Sequence, residues 1–117
     1  MARMDIPEWI PLQAMADDEV LPSLGEQPVV APYDRREIAR VAISGEDAVD
    51  RAVAVARAAL GTAPPAAERA RILDRAAALV ADRADDLARV LAEEAGKPIR
   101  QARGEVARCV DTLTFSA

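Results

Sequence analysis

A mainly helical α+β chain is predicted for these 117 residues: an N-terminal arm, one β-hairpin and then three or four helices. Three observations predict it. Pro7, Pro11, Pro22, Gly25 and Pro28 interrupt the first segment and leave it without a sustained period. β-Branched residues gather in two short runs on either side of Pro-Tyr-Asp-Arg-Arg. Beyond Ser44, apolar residues return every three or four positions.

Residues 1–27 read as a poorly ordered leader arm, because they offer no periodic apolar face to bury. Residues 28–43, "PVVAPYDRREIARVAI", read as a hairpin: "VV" and "EIARVAI" are the strands, and the Pro-Tyr-Asp-Arg-Arg segment is the turn. Ile38, Val41 and Ile43 alternate imperfectly in the second strand, so the register is weakly specified.

A helix over 45–60 follows. Ser44 with Asp47 has the spacing of a capping box, and Glu46 and Asp47 favour the positive helix end. Val49, Ala52, Val53, Ala56 and Leu60 form its apolar face, Asp47 and Arg51 an i,i+4 pair, and Gly61 a left-handed stop. A helical stretch over 65–95 enters through Pro64 and Pro65, where a missing amide donor costs nothing, and is either continuous or broken near Asp82. Its face is Ile72, Leu73, Ala76, Val80, Leu87 and Leu91, with Asp85, Arg89 and Glu93 alternating in sign. Gly96 ends it and Pro98 prevents its continuation. The last helix, 98–117, aligns Ile99, Ala102, Val106, Cys109, Val110 and Leu113.

The composition excludes several functions. A net charge of −5, with arginines interspersed among acids, gives no attraction to nucleic acid or to an anionic membrane face. One cysteine and no histidine rule out an internal disulfide, a histidine-built zinc site and histidine-dependent catalysis. The proline-broken start has no apolar run of signal-peptide or membrane-span length, so a cytoplasmic location is expected.

In combination, "APYDRREIARVAISG", "EDAVDRAVAVARAAL" and "ERARILDRAAALVADRADDLARVLAEEAGKPIRQARGEV" resemble the N-terminal segment of the NAD(P)-dependent aldehyde dehydrogenase superfamily over about residues 28–117. The resemblance implies a partial cofactor-binding domain: the hairpin and helices that pack on a Rossmann-like sheet formed by later strands. It implies that a complete member oxidises an aldehyde to an acid through a thiohemiacetal and passes hydride to NAD or NADP. The family's nucleophilic cysteine, general-base glutamate, glycine-rich nucleotide loop, ribose-contacting lysine and oxyanion-hole asparagine belong to segments not found in this sequence. No catalytic or cofactor-binding residue is therefore assigned, no cofactor is expected to bind this chain alone, and the chain is expected to be inactive.

No metal site is assigned either, although the resemblance offers candidates for a monovalent cation. Some members bind one through carbonyls corresponding to Val29 and Val30 and an acid on the helix after Gly-Lys-Pro. Glu105 stands one residue from that acid's place, and a structural role, capping or pairing with Arg108, is the alternative reading. Cys109 reads as a small hydrophobe inside a helix, not as an activated thiolate. Lys97 lacks the preceding glycines and following hydroxyl of a P-loop and reads as a cation at a helix C-terminus. Glu93 and Glu94, adjacent on a helix, diverge by about 100° and cannot flank one substrate.

A different class of function is a small helical interaction or assembly module, and one half of a split enzyme is a third possibility. Helices shaped to meet a sheet keep apolar faces that a hairpin and three helices cannot cover. Self-association, or association with the remainder of an enzyme, is expected through those faces, with no nucleic-acid or membrane partner.

Overall fold

The computed structural model describes Pro7 and residues 11–117. Among these are two small antiparallel hairpins and four helices: β1 (Met15–Ala16), β2 (Glu19–Val20), β3 (Ser23–Val30), β4 (Glu37–Ser44), α1 (Glu46–Leu60), α2 (Ala66–Asp82), α3 (Ala84–Ala95) and α4 (Ile99–Ser116). By contacts the chain divides into two compact units, residues 1–30 with 35–63, and residues 31–34 with 64–117.

The first unit corrects the reading of its N-terminal part. The expected arm lies outside the described residues at positions 1–6 and 8–10, but from Met15 it is built into strands. Asp17 and Asp18, at φ 54° and 61°, link β1 to β2. Successive positive-φ residues suit the twist of a tight hairpin, and Asp tolerates that conformation better than most residues. The long hairpin starts at Ser23, five residues before the expected Pro28, and pairs Ser23 with Ser44 and Val29 with Ala39. The residues that suggested an arm are accommodated locally. A register shift between Ser23 and Gly25 marks an irregularity, with Gly25 at φ 154°, and Pro28 sits on β3, an edge strand of the two-stranded sheet. Arg40 ties the ladder diagonally, its Nε donating to Glu26 at 3.1 Å and its Nη1 to Glu37 at 3.1 Å.

α1 begins close to its expected start, with different chemistry at both ends. Gly45, not Ser44, is the N-cap, and no side chain caps the helix. Ser44 is the last residue of β4, and its partner is Ser23. Gly61 is right-handed at φ −72°, so the helix unwinds through the Gly61 and Thr62 amides donating to Ala58 and Ala59 instead of stopping at a left-handed residue. Arg51 pairs with Glu19 at 3.5 Å rather than with Asp47. Ala48 is the buried position of α1, while the expected face is exposed: Val49 at 58%, Val53 at 45% and Leu60 at 77%.

The second unit is a three-helix assembly in which α4 packs on both α2 and α3. The 65–95 stretch is two helices, broken at Arg83, next to the expected Asp82. Gly96 stops α3 in the left-handed conformation, φ 66°, and Pro98 is the N-cap of α4, its carbonyl accepting from the Gln101 and Ala102 amides. The core is Ala88, Ala102 and Val106, surrounded by the partly buried Val80, Ala84, Leu87, Leu91 and Ala92. Ala88 and Ala102 are wholly buried, and alanine at both positions permits a close approach of α3 and α4.

Candidate functional site

The two parts of the cation candidate belong to different units. Val29 and Val30 are half-buried at the end of β3, where they oppose Ala39 and Glu37. Glu105 lies in the middle of α4, with its side chain about one-third exposed.

The Gly96 turn determines what Glu105 meets. It places Lys97 just ahead of α4, from where its side chain reaches forward to that helix. Lys97 Nζ donates to Glu105 Oε1 at 2.6 Å. Arg108 Nη2 approaches the same oxygen at 3.6 Å, on the next turn of α4. The hydrogen bond from Lys97 is the main reason that the Glu105 carboxyl titrates below its ordinary range; partial desolvation opposes this, and the charges of Lys97 and Arg108 assist it. Both parts of the sequence reading thus meet here. The expected pairing of Glu105 with Arg108 is present, and Lys97, expected at the C-terminus of the preceding helix, is instead the carboxylate's nearer partner.

These contacts bear directly on a bound cation. A metal ligand must direct unshared electron density at the ion, and Oε1 already faces an ammonium and a guanidinium. Among the described residues there is no group of three or more His, Cys, Asp or Glu side chains that could hold a metal.

The one Gly-Lys step turns its ammonium onto Glu105 rather than leaving it for a phosphate. Gly96 itself is explained by its left-handed φ. Cys109 is exposed, which corrects its placement in the core. The buried line of α4 runs through Ala102 and Val106 to the half-buried Val110 and Leu113, and Cys109 falls beside it. Glu93 is half-buried and Glu94 exposed, as divergent neighbours on a helix should be. An open, largely apolar groove of about 370 Å³ between the start of α2 and the end of α4 has Arg69, Ile72, Leu73 and Ala117 on its walls. Its one cation, Arg69, donates to the Pro64 carbonyl at 2.7 Å, and the Ser116 hydroxyl on the same wall donates to the Thr112 carbonyl at 2.8 Å.

Comparison with known proteins places the fold in a family. The aldehyde dehydrogenase family model matches residues 21–117. This chain belongs to the aldehyde dehydrogenase family. It is 39% identical over 89 residues to the 3-sulfolactaldehyde dehydrogenase of Priestia aryabhattai, an overlap of 76% of this chain and 19% of that protein. It is 38% identical over 91 residues to the malonate-semialdehyde dehydrogenase of Bacillus pumilus, covering 76% and 19%. The crystal structure of the NAD-dependent aldehyde dehydrogenase from Sinorhizobium meliloti superposes with a TM-score of 0.81 at 31% identity, over 88% of this chain and 22% of that one. The chain thus spans about a fifth of the length of the aldehyde dehydrogenases it matches. Among the described residues no helix is long and apolar enough to cross a membrane.

Proposed function

We propose that this chain is the N-terminal scaffold of an aldehyde dehydrogenase, and that the complete enzyme oxidises an aldehyde to the acid with NAD or NADP as hydride acceptor. The observation that carries this reading is the family match over residues 21–117, joined to relatives of which this chain covers only about 19%. Family membership supplies the reaction class. On this reading the chemistry lies in the other segments of the enzyme. The scaffold alone is inactive and binds no nicotinamide cofactor, and it works in the cytoplasm.

Its partner is the rest of the enzyme, or a second copy, met through apolar helix faces. The exposure of Val49, Val53 and Leu60 on α1, and of Ile72 on α2, supports this. Equilibrium dialysis of the purified chain against reduced NAD or NADP tests the cofactor part. No retention above a protein-free control is expected, and saturable retention of either dinucleotide would overturn it.

A further inference from the structure

We propose that Lys97 is the resident cation of Glu105: its ammonium on Oε1, backed by Arg108, supplies the positive charge that a free monovalent cation would otherwise bring, so this chain holds the α3–α4 corner without sodium or potassium. The inference is independent of whether the parent enzyme is active.

Three observations carry it. The Lys97 Nζ to Glu105 Oε1 distance is 2.6 Å, and Arg108 stands 3.6 Å from the same oxygen, so a third positive charge would meet repulsion from both. The ammonium is also tethered. Gly96 at φ 66° and Pro98 at φ −57° hold the backbone on both sides of Lys97, so its return to Glu105 is intramolecular, whereas a free ion would have to be captured from solution. Finally, Lys97 is the only lysine among 15 basic residues. A compact, strongly hydrated ammonium is the side-chain group closest in character to a small monovalent cation, and a planar guanidinium is not.

The single lysine makes the test specific. The full chain, labelled with ¹⁵N-lysine, contributes one side-chain ammonium resonance, read in sodium, potassium and choline chloride at matched ionic strength. The expected result is a slowly exchanging signal that is the same in all three salts and is lost in Glu105→Gln. Two results would overturn the proposal. One is a wild-type signal indistinguishable from that of Glu105→Gln, meaning that the carboxylate does not hold Lys97. The other is a saturable shift with sodium or potassium that choline does not produce, meaning that a free ion competes for the site.

Discussion

Gly96 and Gly104 flank the same helical corner under opposite constraints. Gly96 is left-handed at φ 66°, and a Cβ there would stand 3.4 Å from the Pro32 ring, so the backbone conformation is the larger obstacle to a side chain. Gly104 lies inside α4 with nothing within 4 Å of an added Cβ. Gly96→Ala should cost about 1–2 kcal/mol, whereas Gly104→Ala should stabilise by about 0.5–1 kcal/mol. Chemical denaturation followed by circular dichroism reads both signs, and a gain at Gly96 would sink the left-handed assignment. Glu105 adds a pH dependence. Its carboxyl is depressed in the folded chain, so the stability it contributes is complete above the ordinary glutamate value of 4.5 and is lost as the pH falls through the lower folded value. Denaturation midpoints of wild type and Glu105→Gln should therefore converge below that range and separate above it; a constant gap across the titration would contradict the pairing.

At the scale of elements, the α3–α4 contact depends on small residues. Ala88 and Ala102 have no exposed surface, so Ala102→Leu should overpack the contact and cost about 1–3 kcal/mol. Ala107→Leu, on the exposed side of the same helix, should stay within about 0.5 kcal/mol of wild type. Equal effects at the two positions would mean that α4 is rotated from its described orientation. The same alanines explain what could be read beforehand. The helices were legible because Gly96 and the prolines at 64, 65 and 98 punctuate a clear helical period. Their buried faces were less so: in an alanine-rich helix the buried and exposed stripes differ little in hydrophobicity, so α1 turns Ala48 inward while Val49 and Val53 face solvent. Cys109 is displaced for the same reason. The β1–β2 hairpin had one available signal, Asp17-Asp18 between short apolar runs, outweighed by the surrounding prolines. The Lys97–Glu105 pair had none at helical spacing, because Lys97 precedes α4 and reaches Glu105 only through the left-handed turn.

At the scale of the whole molecule, order and chemistry are separate. The described residues form regular helices and hairpins, yet the buried side chains are few and small, five of the eight being alanine. Large apolar residues such as Leu24, Leu60 and Phe115, at 78%, 77% and 96% exposure, remain in solvent. That pattern supports the proposed scaffold, whose apolar surfaces would be covered by other parts of an aldehyde dehydrogenase. The most direct test of this account is a turnover assay of the purified 117-residue chain with NAD or NADP and a panel of short aldehydes, monitored by absorbance of the reduced nicotinamide. The account predicts a rate equal to the protein-free control with both cofactors; steady aldehyde-dependent reduction of either one by this chain alone would contradict it.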